Sequence, residues 1–511
     1  MHPEAVDTHP CSINHLPSRL STPSRLLNGR GLYREGKTLV MDPEKGKDPM
    51  EYVEGLLRMK AKYDVVIKTS FHGDRNFVNA LHQSFEHFVN LNSRSPEYIS
   101  LYVDDKLRRG LKGASEEEIE SVLDRVMTLF RFLQEKDVFE KYYKQHLAKR
   151  LLAGRTTSDD AEKSFILKLK TECGYQFTSK IEGMFNDMRT SRDTMTAFRA
   201  HLEERAKSGA GRGVAPMDHE GNSVEGMVGS SGNTLGGAGS SFSSRGSLMA
   251  VDSEMGRGAS GVLGGIDLSV QVLTTGSWPT PGGTAVPQCT LPPQLAAACE
   301  RYTNFYLSTH NGRRLSWLTS MGTADLRATF GDTKRELQVS TYQMCILLLF
   351  NNADKISYRD IAAATNIPAD DLKRSLQSLA CVKGRNVLRK EPMSKEVNDD
   401  DDFVFNDRFT SKLLKVKIGT VSAQRESEPE KRETRQRIED DRKPQIEAAI
   451  VRIMKARRQL DHNSMVQEVT KQLSSRFVPN PVDIKKHIEN LIEREFIERD
   501  RNDRKLYIYL A

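Results

Sequence analysis

A single lysine near the C-terminus is the most distinctive candidate for chemistry in this sequence. Lys455 lies in the run IEAAIVRIMKARRQLDHN (446–463), whose apolar residues recur at helical spacing. On a helical wheel that starts at Ile446, Ile450 and Ile453 fall within about 40° of it, whereas Lys455 falls at about 180°. The Lys455 amine is therefore predicted to be exposed and open to modification. An exposed lysine on a helix usually contributes only to solubility. The spacing of the residues alone does not show that Lys455 has a further role.

Other candidate chemistries are weak. The sequence contains no G-x-x-x-x-G-K-[ST], H-E-x-x-H or G-x-S-x-G motif. The acidic run Asp399–Asp402 is more typical of a solvated loop than of a cation site, and Cys381, at the end of an apolar helix, is more typical of a core. The cysteines have neither C-x-x-C spacing nor a neighbouring histidine cluster, so we expect no metal, no cofactor and a reducing compartment, the cytoplasm or the nucleus. The six cysteines are Cys11, Cys173, Cys289, Cys299, Cys345 and Cys381.

The composition is that of a soluble, helix-rich protein of several domains. The chain has 511 residues, 28% of them charged, and a net charge of +7. No stretch approaches the ~20 consecutive apolar residues of a membrane span. The N-terminus lacks the apolar segment of a signal peptide.

The first part of the chain predicts a helical bundle. Residues 1–34 are expected to be disordered or atypical, and amphipathic helical patterns follow in 35–92 and 93–205. Ser115 and Glu118 have the spacing of a capping box for a helix over Glu116–Gln134. Several amphipathic helices in series bury their apolar stripes against one another.

The composition changes abruptly after this bundle. Residues 209–261 contain 14 of the 35 glycines, mixed with serine, so 206–264 is predicted to be a flexible insert. An α/β sheet region is expected at 265–336. The strand candidates are Ile266–Leu273, Arg313–Leu318, Phe403–Phe405 and Leu413–Ile418.

Two near-repeats follow. Each has an opening helix, two further helices and extended segments, with Pro368 or Pro481 at the predicted first position of the third helix. We expect a first winged helix with returning strands at 337–423, a charged tether or solvated helix at 424–443, and a second winged helix at 444–511. The predicted fold is mainly α with a small α+β region: a helical bundle, a mixed sheet and two winged-helix modules.

Winged helices commonly bind nucleic acid, so that function stays open as an alternative. However, residues 441–511 contain 15 basic and 11 acidic residues, a net charge of only +4. Acidic residues lie among the bases of the third helix and the wing, where they would repel phosphate. A protein-interaction module is favoured.

The C-terminal run IKKHIENLIEREFIERDRNDRKLYIYLA (484–511) closely resembles the signature that ends cullins. Phe496 stands where that family usually has tyrosine, which keeps the aromatic ring. The residues that match the signature are Leu491, Ile492, Glu493, Arg494, Phe496, Arg499, Tyr507, Tyr509 and Ala511.

Longer blocks resemble the cullin homology region and together are most similar to the cullin-three type. The resemblance runs from about Arg34 to Ala511, apart from the Gly/Ser insert. The blocks are Asn90–Leu107, Phe130–Leu152, Leu169–Met188, Val272–Pro279, Leu337–Asn352 and Phe409–Ile418.

The resemblance implies a non-catalytic scaffold subunit of a cullin-RING E3 ubiquitin ligase. Its implied partners are a RING-box protein, the ubiquitin-conjugating E2 that this protein recruits, and a cullin-associated exchange factor. The strands near Ile266–Leu273 and Leu413–Ile418 would help to form the sheet that the RING-box protein's N-terminal strand joins. Lys455 would receive a ubiquitin-like modifier through an isopeptide bond (neddylation), with Arg452 and Arg458 in the docking surface of the modifying enzyme.

The sequence differs from the cullin pattern in its N-terminal part. Cullins normally begin with three long helical repeats, and residues 35–92 correspond at most to the last part of them. We expect a fragment or a short form that does not hold a BTB adaptor, because the adaptor-binding surface lies in the missing repeats.

Overall fold

The computed structural model describes residues 29–110, 113–154, 159–210, 263–279, 289–419 and 428–510. Most of the predicted disordered N-terminus and of the predicted Gly/Ser insert lies outside these residues. The chain divides into two compact units, Met1–Ile181 with Glu428–Ala511, and Glu182–Ser427. Among the described helices, none combines the length and the apolar character that crossing a membrane requires.

The first unit begins with consecutive helices that bury aromatic side chains between them. Ser115 and Glu118 form the predicted capping box at a helix that ends at Arg131. Tyr52, Phe85 and Phe130 are fully buried in this bundle. The helices are α1 (Gly29–Met41), α2 (Pro49–Ser70), α3 (Arg75–Val89), α4 (Ser95–Asp105), α5 (Glu116–Arg131), α6 (Lys136–Ala153), α7 (Asp159–Cys173) and α8 (Tyr175–Ala210), the last of which continues into the second unit.

A buried ion network joins three of these helices. The Arg150 guanidinium in α6 donates to both carboxylate oxygens of Glu162 in α7, at 2.7 and 3.0 Å, and also to Asp104 in α4. Arg150 and Glu162 are almost fully buried. Because each charge has a partner, the network ties the packing of these three helices together, and loss of Arg150 would leave the buried Glu162 carboxylate without its cation.

The second unit contains a mixed sheet and the first winged helix. Its elements after α8 are α9 (Pro293–Thr309), β1 (Thr323–Phe330), β2 (Thr333–Ser340), α10 (Thr341–Leu349), β3 (Lys355–Ser357), α11 (Tyr358–Thr365), α12 (Ala369–Ala380), β4 (Leu388–Glu391), β5 (Asp402–Phe405) and β6 (Lys415–Lys417). β1 and β2 form an antiparallel hairpin, and β6 pairs in parallel with β2 through the register Leu337 to Val416. β6 therefore lies at one edge of the sheet β1-β2-β6.

The C-terminal module repeats the topology of the first winged helix. It consists of α13 (Glu428–Arg457), β7 (Gln459–Asp461), α14 (His462–Leu473), α15 (Pro481–Glu493), β8 (Ile497–Arg499) and β9 (Leu506–Tyr509). Its strands have the order β7-β9-β8, and those of the first winged helix have the corresponding order β3-β5-β4, all antiparallel. The predicted pair of winged helices and the mainly α fold class are confirmed.

Several local predictions are wrong. Arg313–Leu318 forms no strand, and Ile266–Leu273 pairs with no strand of the described chain. The first helix starts at Gly29, before the predicted boundary at 34, and α8 extends to Ala210, into the predicted insert. Of the two alternatives for residues 424–443, a tether or a solvated helix, the structure shows a helix from Glu428 onward, as part of α13.

The two prolines also differ. Pro481 is the first residue of α15 as predicted, whereas Pro368 is the N-cap of α12. Both positions suit proline because neither N–H would have an acceptor within the helix.

Candidate modification site and interaction surfaces

Lys455 lies in the last turn of α13, and its side chain is exposed. The opposite face of the helix is buried, since Ile446, Ile450 and Met454 pack in the core of the C-terminal module. The outward orientation expected from the helical wheel is therefore observed. Lys455 forms no hydrogen bond or ion pair with any residue that the structure describes.

The two predicted neighbours of Lys455, Arg452 and Arg458, differ in their contacts with the rest of the module. Arg452 is exposed one turn earlier on the same face, three residues from Lys455. Arg458 lies just beyond the helix end with a φ of 66°, and its N–H donates to the Met454 carbonyl at 2.8 Å. Its guanidinium lies 5.5 Å from the centre of the Tyr509 ring. Arg452 is thus free to contact a partner, whereas Arg458 is held against β9.

A carboxylate clamp lies on the helix that carries Lys455. Glu447 in α13 is bound by His487 Nδ1 at 3.1 Å and by the Arg494 guanidinium at 3.0 Å. His487 is buried and belongs to α15, and Arg494 is the C-cap residue of that helix. The clamp connects α13 to α15 about two helical turns before Lys455.

The Lys455 amine is accessible, but no general base contacts it among the described residues. Attack by a lysine amine requires a group that removes its proton. Within the described chain no acid or base is hydrogen-bonded to Lys455 Nζ.

The acidic run Asp399–Asp402 is engaged in ion pairs. Asp399 pairs with Lys373 at 3.0 Å, and Asp400 pairs with Arg359. The remaining two carboxylates are paired with Lys390 (Asp401, 2.8 Å) and with Lys355 (Asp402, 3.0 Å). No group of side chains in the described chain is arranged to hold a metal ion. The run is therefore connected by ion pairs to the helices α11 and α12 and to the neighbouring strands β3 and β4 of the first winged helix.

Four of the five described thiols have a raised pKa, whereas the hydrogen bond with Cys345 lowers the pKa of the Cys289 thiol. All five are free, and burial raises the pKa of the Cys173 and Cys299 thiols to about 12. Burial also raises the pKa of the Cys381 thiol. A thiol with a raised pKa holds little thiolate at neutral pH, so these four thiols are poor nucleophiles.

The C-terminal module is docked on α6 through a charged contact that the sequence analysis missed. The Arg442 guanidinium in α13 donates to Asp137 at 2.5 and 2.8 Å and to Glu135 at 3.2 Å. The same guanidinium lies 4.8 Å from the centre of the Phe477 ring. Arg476 adds a bond to Glu140 at 3.3 Å and accepts the Asp137 N–H on its carbonyl at 3.2 Å. No sequence signal pairs residues that lie more than 300 positions apart.

Two backbone segments of the second unit have unused strand edges. β6 is an edge strand, and the two residues before it, Leu413 and Leu414, are exposed hydrophobic side chains. The segment Ile266–Leu273 alternates buried and half-buried residues from Leu268 to Val272 but joins no sheet of the described chain. Both segments offer main-chain groups to an added strand.

Two of the basic residues considered for nucleic-acid binding are engaged within the module. Arg494 is bound to Glu447, and Arg499 is bound to Glu489 and to the Arg504 carbonyl. The carboxylates of Glu447 and Glu489 neutralise these guanidinium groups, which reduces their attraction for a phosphate. These two residues therefore do not form part of a continuous basic surface for nucleic acid.

Comparison with known proteins accounts for this architecture. The family model "Cullin alpha solenoid domain" matches residues 30–195, "Cullin alpha+beta domain" matches 272–409, and "Cullin protein neddylation domain" matches 441–503. The chain belongs to the cullin family. The third match contains Lys455 and the whole carboxylate clamp.

Several curated cullins align with nearly the whole chain. Cullin-3B of Arabidopsis thaliana is 58% identical over 477 residues, which are 93% of this chain and 57% of that protein. Cullin-3 of Dictyostelium discoideum is 45% identical, over 93% of this chain and 58% of that protein. Cullin-4A of Mus musculus is 42% identical, over 93% and 54%. The sequence is thus of the cullin-3 type, and it spans a little over half the length of these relatives.

Proposed function

We propose that this cullin is a non-catalytic scaffold subunit of a cullin-RING E3 ubiquitin-protein ligase. In this role it binds a RING-box protein, which recruits a ubiquitin-charged E2, and it promotes substrate ubiquitination for proteasomal degradation. It works in the cytoplasm and the nucleus and is exchanged between complexes by a cullin-associated factor. The observation that carries the proposal is the exposed Lys455, which has no hydrogen-bond or ion-pair partner among the described residues, within the matched neddylation domain.

Lys455 is the proposed acceptor of the ubiquitin-like modifier. Its amine is accessible, and the Glu447 clamp connects α13 to α15 about two helical turns before it. Arg452 supplies an unpaired positive charge on the same face for an acidic surface of the modifying enzyme. Arg458 lies just after α13, and its guanidinium packs on the Tyr509 ring of β9 beside this surface.

Strand addition is the proposed mode of RING-box binding. It uses main-chain hydrogen bonds and needs an unpaired edge, and β6 and Ile266–Leu273 both provide one. The exposed Leu413 and Leu414 would be covered by the same partner.

The modifier would act by shifting the docked C-terminal module to an undocked state. The contacts of the module with α6 include those of Arg442 and Arg476 and the ion pairs Arg435–Glu135 and Asp441–Lys141. A folded domain on Lys455 that fits only the undocked position shifts the equilibrium by its difference in affinity for the two states. This gives the ligase a switch built from a few charge pairs.

The test is reconstitution of the chain with a RING-box protein. We expect a stable complex that discharges ubiquitin from a charged E2, and a single modified band when the modifying enzymes are added. Lys455→Arg removes that band, whereas Lys471→Arg, an exposed lysine on α14, leaves it. A modified band that survives in Lys455→Arg rejects the assignment of the site. Salt-sensitive retention on DNA without RING-box binding would favour the winged-helix nucleic-acid alternative.

A further inference from the structure

Residues 267–274, the segment at the start of the α/β region, are bound along one side by side chains of α8. We call this row of contacts the ladder. The N–H of Val272 donates to Ser191 Oγ at 2.8 Å, and Ser191 Oγ donates back to the Val272 carbonyl at 3.1 Å. Two residues later the Thr274 N–H donates to Asp187 at 2.7 Å, and two residues earlier the Val270 N–H points at Met195 Sδ at 3.2 Å. Arg199 and Asp267 extend the ladder by an ion pair at 3.7 Å.

The spacing of the ladder follows from the dimensions of helices and strands. Four residues of an α-helix rise about 6.0 Å, and two residues of an extended strand rise about 6.6 Å. Side chains at every fourth helical position therefore meet every second residue of an antiparallel strand. Asp187, Ser191 and Met195 have this spacing against residues 274, 272 and 270, and the segment runs past them in the opposite direction. The Arg199–Asp267 ion pair lies one residue outside this register.

Among the described residues, the other side of the segment has no hydrogen-bond partner. In an extended chain the main-chain groups of alternate residues point to opposite sides. Ser269, Gln271 and Leu273 thus direct their N–H and carbonyl groups away from α8, and none of these groups is hydrogen-bonded within the described residues. The Gln271 side-chain oxygen is also buried without a partner. Buried polar groups are rarely left unsatisfied, so this side lacks a component that completes it.

We infer that α8 is a one-sided template on which Asp187, Ser191 and Met195 hold alternate amides of residues 270–274, so that a partner's extended strand adds only along the edge of Ser269, Gln271 and Leu273. This inference rests on the proposed function, since the RING-box protein supplies the strand. Ser191 is the central positioning residue because its hydroxyl binds both main-chain groups of Val272. The ladder excludes pairing on the α8 side and orders the segment before the partner arrives, which lowers the entropic cost of binding.

The first experiment is residue-resolved hydrogen exchange on the unaltered full chain, alone and with the RING-box protein. In the free chain the amides of residues 270, 272 and 274 should exchange at least about ten-fold more slowly than those of 269, 271 and 273. In the complex the second set should slow by a similar factor. Equal exchange of all six amides in the free chain overturns the template.

The outcomes separate this inference from the proposed function. A stable complex in which the amides of residues 269, 271 and 273 are unchanged overturns the inference and leaves the ligase scaffold intact. Failure to form a complex, with the alternation present in the free chain, overturns the proposed function and with it the identity of the strand donor.

The second experiment uses variants of α8. Ser191→Ala removes both bonds to Val272 and should weaken RING-box binding about ten-fold, with faster exchange of the Val272 amide. Ser191→Thr keeps a hydroxyl and should restore most of the affinity. Thr196→Ala is the matched control, because among the described residues the Thr196 hydroxyl binds the carbonyl of Arg192 in the same helix and no group of the segment. Wild-type affinity and wild-type Val272 exchange in Ser191→Ala contradict the positioning role.

Discussion

Arg442→Ala should undock the C-terminal module from α6 without unfolding either. The Arg442 side chain is 19% exposed and Asp137 is 10% exposed, so their bidentate pair is largely removed from water. Breaking a fully buried pair costs about 3–5 kcal/mol, and an exposed pair contributes about 0.2–1 kcal/mol. This pair lies between those limits, and we expect a loss of about 2 kcal/mol, which raises the undocked fraction about 30-fold.

One amide reports this equilibrium directly. Asp137 is the second residue of α6, where an N–H has no acceptor within the helix. Its hydrogen bond goes to the Arg476 carbonyl of the docked module. Exchange of the Asp137 amide therefore follows the undocked fraction, and Arg442→Ala should accelerate it about 30-fold.

Two variants separate the bidentate pair from charge alone. Arg442→Lys keeps the charge but loses the two-pronged geometry, so it should give an intermediate rate. Arg435→Ala removes a more exposed neighbour, which lies 3.5 Å from Glu135, and should change the rate less than about five-fold. An Asp137 exchange rate in Arg442→Ala within two-fold of wild type, with the fold intact, refutes the assignment of Arg442 as the main docking contact.

Three further outcomes are expected. Arg452→Glu should slow modification of Lys455 roughly five-fold at low salt and less at high salt, measured by the rate at which the modified band appears. Burial raises the pKa of Asp401, but the hydrogen bonds from Lys390 and from the Asn398 N–H lower it more, so the pKa lies below 3.8. The stability from this pair is therefore present above that pH and lost as the pH falls through the folded-state pKa. In thermal unfolding, Lys390→Met should cost about 3 kcal/mol at neutral pH, and its difference from wild type should narrow below about pH 3.8. Replacement of residues 212–261 by a short Gly/Ser linker should change the unfolding temperature little, since loop closure depends weakly on length and the ladder joins α8 to Asp267.

Local patterns in the sequence predict the elements that carry the candidate site. Periodicity alone gives α13 a buried face with Ile446 and Ile450 and an exposed Lys455, and the structure agrees. The capping box at Ser115 and the proline that begins α15 are equally local signals. Such features depend on residues within one or two turns, so a single sequence contains them completely.

Strand pairing was predicted less well, because alternation of polar and apolar residues does not name a partner. Ile266–Leu273 has the pattern of a strand, yet within the described residues its hydrogen bonds go to side chains of α8 and not to another strand. The same alternation is produced by any extended segment with one buried face. Arg313–Leu318 shows the opposite error, since a weak apolar pattern there forms no strand at all.

The sequence by itself determined the helices, the two winged helices and the outward direction of Lys455, since each of these depends on neighbours along the chain. Only the tertiary structure decided that the acidic run Asp399–Asp402 is neutralised, that Arg442 docks the C-terminal module on Asp137, and that α8 leaves one strand edge open. Those features join residues far apart in sequence, and their energies depend on burial and on bond geometry. Neither quantity exists until the chain has folded.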